Sequence, residues 1–230
     1  MELKNPLYKN IGVHVITSLF TVEKGVTKVL LVKRINNPFN GYWSLPSGSL
    51  YNNELISDGA TRELNEKTGI KMNDLSMYKV FDDLDRSPLQ RMIGIGFIGI
   101  IDLKRVNVLR KTNKTSNADW FSIDNIPELA YDHNKILESA LEELKKDITS
   151  SDILKTFFPD GFTLPELQSV YESILDIKID RRNFRKKMLS LNLIIDTGKE
   201  ILYKGKKPAK LYKFNKKVEN TNIFKNIDMR

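Results

Sequence analysis

The stretch GSLYNNELISDGATRELNEKTGI, residues 48–70, decides how the rest of the chain is read. Its second half predicts an amphipathic helix over 56–68, in which Ile56, Ala60 and Leu64 recur at the i, i+4, i+8 spacing of a buried face. At about 100° per residue, Glu63, Glu66 and Lys67 fall on a neighbouring arc. Two carboxylates one turn apart can hold a hard divalent cation through oxygen. They can equally form a solvated helix face. A third acid at position 67 would complete a cation cluster, but the chain has a lysine there, four residues after Glu63 and within pairing distance of it. At 4 Å and an effective dielectric near 20, one charge pair is worth about 4 kcal/mol. An ammonium in place of a carboxylate therefore opposes metal binding.

The spacing around the two acids is more specific than the acids themselves. Gly48, five residues, Glu54, seven residues, then Arg62-Glu63-Leu64-x-Glu66-x-x-Gly69-Ile70 resembles the Nudix box over its full 23 positions. The preceding GYWSLPSG resembles the family's approach to the box. The resemblance implies an α/β/α sandwich whose box is a loop–helix–loop. It also implies acidic residues that bind magnesium or a similar ion to cleave nucleoside diphosphates linked to another group. Glu54 and Arg62 match positions that in the family brace the loop against the helix. The chain departs from the pattern in having Ser47-Gly48 for Gly-Gly and Glu66-Lys67 for two adjacent glutamates. The second departure predicts a retained scaffold with a neutralised ion site, in which Glu63 and Glu66 are weak or vestigial metal ligands and Lys67 can hold a phosphate or polar ligand. Binding without turnover is the expectation; no cofactor is required, and magnesium remains an option.

Outward from the box, IGVHVITSLF and TKVLLVKRI read as strands, NNPFNGYW as a loop, and MIGIGFIGIIDL as a long buried strand. YDHNKILESALEELKKDI has the apolar spacing of a helix. Candidate effector-binding residues in this part are Arg34, Glu63, Glu66, Lys67, Arg86, Arg91 and His133. Arg86 also fits a solvated turn, His133 a helix start, and His14 a structural role in its apolar strand.

After SSDILKTFFPDGFT the pattern becomes compact and helical. Thr163 and Glu166 form a capping box, with Phe162 and Leu167 at the staple positions. The helix that follows offers Leu167, Val170, Ile174 and Leu175 to a core, and Asp180 caps a second helix, RRNFRKKMLSL. Two strand-like stretches, LIID and KLYKF, close the pattern of a winged helix-turn-helix. On the second helix Phe184, Met188 and Leu191 share one face, and Arg182 and Lys186 lie opposite. That division suits a recognition helix entering the major groove, with arginine or asparagine reading bases and lysine neutralising phosphates; a solvated basic face is the alternative. The candidate DNA-binding residues are Arg181, Arg182, Asn183, Arg185, Lys186 and Lys187, with Lys199, Lys206, Lys207 and Lys210 on the wing.

Composition agrees with this division. The 230 residues are 40% hydrophobic and 29% charged, with no cysteine, which excludes disulfides and thiolate chemistry. The net charge is +8; residues 1–150 hold 20 Lys and Arg against 19 Asp and Glu, whereas residues 151–230 hold 17 against 10. The excess points either to a polyanion partner for the last third or to a soluble, lysine-rich surface. No apolar run suits a membrane span, and a soluble, cytoplasmic protein is expected.

FTLPELQSVYESILDIKIDRRNFRKKMLSLNLI with GKKPAKLYKF is similar to the C-terminal domain of Nudix-related transcriptional regulators, the NrtR family and its sugar-responsive relatives. The fold expected is therefore α+β: a Nudix α/β/α sandwich over 1–148 and a winged helix over 149–230. The resemblance implies a dimeric repressor that binds double-stranded operator DNA and senses ADP-ribose or a pentose. Two rivals are an active ADP-ribose hydrolase with an accessory basic domain, and a non-specific nucleic-acid binder.

Overall fold

The computed structural model describes residues 11–150, 153–203 and 207–215. They form two compact units: one of Lys28–Gly99 and Leu103–Glu142 with the described residues up to Phe20, the other of Thr21–Thr27, Ile100–Asp102 and the described residues from Glu143 onward.

The first unit holds most of a seven-stranded sheet made of β1 (Gly12–Glu23), β2 (Val26–Arg34), β3 (Trp43–Ser44), β4 (Ser47–Ser49), β5 (Ser76–Phe81), β6 (Met92–Ile100) and β7 (Thr115–Ser122). Five of them run in the order β3-β2-β1-β6-β5, β4 pairs with β1, and β7 pairs with β2. Helix α1 (Ile56–Thr68) is the one predicted, and it ends at Gly69 in the left-handed region, φ 76°, which a glycine adopts without strain. Ala60 and Leu64 are fully buried, and Ala60 packs with Val15, Ile95 and Phe97. Ile56, expected on the same face, is 38% exposed in the first turn of the helix.

The alternating glycines of β6 show how the sheet serves two layers. Ile95 and Phe97 face α1, while Gly94 and Gly96 face the other side. A Cβ at Gly94 would stand 2.8 Å from the Arg86 guanidinium, and one at Gly96 2.7 Å from the Tyr78 ring. Tyr78 in turn donates to the Ile136 carbonyl of α2 (His133–Ser150). Ile136, Leu137, Ala140 and Leu144 of that helix are buried, as their spacing predicts. Helices on both faces of the sheet give the expected sandwich.

In the second unit α3 (Ile153–Phe157) precedes α4 (Leu164–Leu175) and α5 (Arg181–Ser190), followed by the hairpin β8 (Ile194–Tyr203) and β9 (Lys207–Phe214). The capping box is present: Thr163 Oγ1 accepts from the Glu166 N–H, and Glu166 Oε2 accepts from the Thr163 N–H at 2.8 Å. Asp180 caps α5 by accepting from the Asn183 N–H at 2.8 Å. The core takes Leu167, Val170, Tyr171 and Ile174 from α4 and Phe184 and Met188 from α5. Tyr171, fully buried, replaces Leu175 in the predicted face, its ring 5.8 Å from that of Phe184. Both strands run longer than the apolar pattern predicts. Cross-strand pairing reaches Asp196, skips 197–199 at a register shift, and resumes from Glu200 to Tyr203.

Candidate functional site

The box is held shut by its own arginine. Arg62 donates from Nε and Nη2 to the two oxygens of Glu54, at 2.8 and 2.6 Å, and from Nη2 to the Ser49 carbonyl at 2.9 Å. Its guanidinium lies 3.7 Å from the centre of the Tyr51 ring. Glu54 also accepts from the Tyr51 N–H at 2.7 Å. Loop and helix are thereby clamped as the spacing predicts. The hydrogen bonds donated by Arg62 hold the Glu54 carboxyl down to about 2, and the same bonds, accepted by Glu54, drive the Arg62 guanidinium up.

The acids predicted as metal ligands face cations. Arg62 Nη1 lies 2.5 Å from Glu63 Oε1 and 3.3 Å from Glu66 Oε2. The same two oxygens receive the ammonium of Lys114, at 3.3 Å from Glu63 and in direct hydrogen bond with Glu66. Lys67 pairs with Glu63 Oε2 at 3.6 Å and donates to the Ser47 carbonyl. Glu63 Oε2 is shut off from solvent and accepts no hydrogen bond among the described residues. Gly48 is what permits this closeness, since a Cβ there would overlap the Glu63 carboxyl group. Three carboxylates (Glu54, Glu63, Glu66) thus meet three cations (Arg62, Lys67, Lys114). Among the described residues no group of three or more acids and histidines is placed to hold a metal ion. The residues present do not fit a divalent cation, because one oxygen each of Glu63 and Glu66 already accepts from Arg62 and Lys114, and the Lys67 ammonium stands 3.6 Å from the other oxygen of Glu63.

The pKa shifts follow the same charges. Burial alone would raise Glu66, but the hydrogen bond and charge of Lys114, with Arg62, outweigh it and hold Glu66 below the usual carboxylate range. Burial pushes the Lys67 ammonium down, and neighbouring Lys114 and Arg34 add to that against the pull of Glu63.

Beside this cluster opens a cavity of about 320 Å³. Arg34, Glu63 and Lys67 line it, together with Ser44, Tyr51 and Lys114, none of which the sequence reading singled out. Arg34 is aimed by bonds to the Pro38 carbonyl at 2.8 Å and the Tyr131 hydroxyl at 3.2 Å. The other candidates are elsewhere. Arg86 is not in a solvated turn: its side chain is 4% exposed and grips both oxygens of Asp132 at 3.0 Å, in the wall of a separate depression lined also by Phe39, Asp83, Asp85 and Tyr131. Arg91 donates to the Asp83 carbonyl at 2.9 Å and lines neither. His14 pairs with Ser49 Oγ at 3.0 Å, a structural role as expected.

His133, a candidate ligand contact in the sequence, is 3% exposed and does not line the cavity. Its Nδ1 accepts the Leu45 N–H at 3.0 Å, which requires the neutral ring with its proton on Nε2. Burial, reinforced by the charges of Arg86 and Lys67, lowers it from 6.5 to about 3. The folded value lies below the unfolded one, so the stabilisation is complete above pH 6.5 and declines as pH falls toward 3. The loss should be about 1.4 kcal/mol per pH unit. Thermal melts of wild type and His133→Gln between pH 7 and 5 test this: wild type should lose stability on acidification and the variant should show a flatter profile from a lower start. A wild-type melting temperature unchanged over that range would refute the buried neutral ring.

In the second unit, α5 separates its residues as predicted. Phe184 and Met188 are buried; Arg181, Arg182, Asn183, Arg185 and Lys186 are exposed, and Lys187 is half-buried near the end. Lys199 is exposed on β8, and Lys210 on β9 pairs with Asp196 at 2.8 Å, which offsets part of its charge. Lys207 begins β9, and Lys206 lies outside the described residues.

Known proteins match both units. The NUDIX domain family model matches residues 12–143, and the model of the NrtR DNA-binding winged helix domain matches residues 154–214. The chain is 28% identical over 201 residues to the ADPR responsive transcriptional repressor NtrR of Acinetobacter baylyi, covering 86% of this chain and 79% of that protein. The crystal structure of Shewanella oneidensis NrtR complexed with a 27mer DNA superposes with a TM-score of 0.70 at 28% identity, over 88% of this chain and 93% of that one. The NUDIX domain of the same protein complexed with ADP ribose superposes with a TM-score of 0.56 at 25% identity, over 62% of this chain and 94% of that one.

Proposed function

The chain belongs to the Nudix family and carries an NrtR-type winged helix, and from that premise we propose that it is an ADP-ribose-responsive transcriptional repressor. One observation carries the reading: the same chain pairs a box whose acids are neutralised by lysines with a capped helix whose outer face is arginine and lysine. The first favours binding a ligand over cleaving it. The second suits a DNA groove. The relatives named for ADP-ribose response, and solved with DNA or with ADP ribose, support the same assignment.

In this reading Arg34 and Lys67 meet the diphosphate of ADP-ribose in the cavity. Exposed residues of α5 meet base edges, and Lys199 and Lys210 meet phosphates. Two copies of the chain bind a palindromic operator in the cytoplasm, and ADP-ribose lowers DNA affinity by binding better to the arrangement that cannot engage both half-sites. No helix among the described residues is long and apolar enough to cross a membrane.

The test is a gel shift on the duplex upstream of the protein's own coding sequence. ADP-ribose should weaken the specific complex about 5- to 150-fold, the usual range of allosteric coupling. Fast magnesium-dependent release of ribose phosphate and AMP, with no sequence preference on DNA, would replace this reading by that of a hydrolase with an accessory basic domain.

A further inference from the structure

Lys114 is not a loose surface lysine. It stands 48 residues from Glu66 in sequence, yet its ammonium bridges Glu63 Oε1 and Glu66 Oε2. Those are the two carboxylates one turn apart on α1 that a divalent ion would have to bridge. The backbone holding Lys114 is tied down. Its N–H donates to Thr112 Oγ1 at 3.1 Å, the Thr112 and Thr115 hydroxyls lie 3.0 Å apart, and Thr115 Oγ1 donates to the Lys67 carbonyl at 3.0 Å. Thr115 is also the residue opposite Arg34 in the β2–β7 ladder. The turn that carries one ammonium is therefore bonded to the backbone of the residue that carries the other, and both line the cavity with Arg34.

We propose that Lys114 is a built-in replacement for the divalent ion: its ammonium occupies the place between Glu63 and Glu66 and, with Lys67 and Arg34, presents the positive charge that a diphosphate ligand meets. Ligand binding in this pocket is then independent of metal. A tethered ammonium supplies charge and hydrogen bonds to phosphate oxygens. It polarises a bridging diphosphate less than a divalent ion would and generates no metal-bound hydroxide. Retention of ligand follows from the same substitution that removes metal. This deepens the ADP-ribose reading and rests on it for the identity of the ligand; the metal part of the proposal does not.

Two titrations of the full chain test it, each on wild type, Lys114→Met and Lys67→Glu/Lys114→Met. The first adds Mn2+ to ligand-free protein. Lys114→Met should bind Mn2+ about tenfold or more tightly than wild type, and the double variant more tightly still, because each change removes a positive charge within a few ångströms of the ion. The second adds ADP-ribose in EDTA and in Mn2+. Wild type should bind equally in both, whereas Lys114→Met should bind about tenfold more weakly in EDTA and recover in Mn2+. A purely structural lysine would show no such rescue. Wild type binding Mn2+ as tightly as Lys114→Met, or needing a divalent ion for ADP-ribose, overturns the proposal. If no protein binds ADP-ribose under either condition, the repressor's effector assignment fails, while the Mn2+ titration still decides the role of Lys114. Should Lys114→Met not fold, Lys114→Gln takes its place, and the wild-type comparison of EDTA with Mn2+ stands without either.

Discussion

Arg62→Leu should lower the melting temperature of the first unit by about 10 °C. Arg62 makes bonds to Glu54, Glu63, Glu66 and the Ser49 carbonyl and stacks on Tyr51. Its side chain is 17% exposed and that of Glu63 only 5%. Removing the guanidinium leaves carboxylates in partly buried positions with less compensation, which typically costs about 3–5 kcal/mol. For a unit of this size, each kcal/mol shifts the melting temperature by a few degrees. Arg62→Lys keeps the charge but not the fork that grips both oxygens of Glu54, so it should recover part of the loss. The Glu54 carboxyl, held at about 2 by the Arg62 hydrogen bonds, contributes stability above its unfolded value of 4.5 and loses it as pH falls from there toward 2. The leucine variant should be less sensitive over that acid range. Melts of Arg62→Leu within two degrees of wild type at neutral pH would show that the clamp contributes little.

The second large effect is on DNA. Arg182→Ala/Arg185→Ala should weaken binding to the specific duplex by about 30-fold to 10⁴-fold, since each good bidentate contact to guanine is worth about 1–3 kcal/mol. Both residues are exposed on α5, Arg182 opposite buried Phe184 and Met188 and Arg185 on the flank beside them. Their replacement should spare the fold, which far-ultraviolet circular dichroism can verify. Base preference should fall along with affinity. Lys199→Ala should behave differently: it should weaken specific and random duplexes alike and reduce the salt slope by about one. Titrations at several salt concentrations separate the two behaviours. Equal losses on specific and random DNA for the arginine variant would mean that α5 contacts phosphates and reads no bases.

How far the chain could be read without coordinates depended on the range of each interaction. The helix α1, the Thr163 capping box and the Asp180 cap were all legible, because each is made by residues within a few positions of one another. The brace between Glu54 and Arg62 was legible through family spacing. The charge division of α5 followed from helical periodicity alone. The ends of β8 and β9 were not, because strand length there comes from pairing with the neighbour and not from apolar alternation.

Local order therefore belongs to the sequence: which segments coil, where they stop, and that Lys67 faces Glu63 one turn away. What required the tertiary structure is the company these residues keep. The β2–β7 ladder sets Thr115 opposite Arg34, and this pairing brings Lys114 to carboxylates some fifty residues away. His133 is buried with its ring on the Leu45 N–H, and Arg86 turns inward to Asp132, which keeps one from the cavity and places the other in a second depression. Sequence periodicity carries no record of either event, because charges meet through space and the distance along the chain between them is set by the fold.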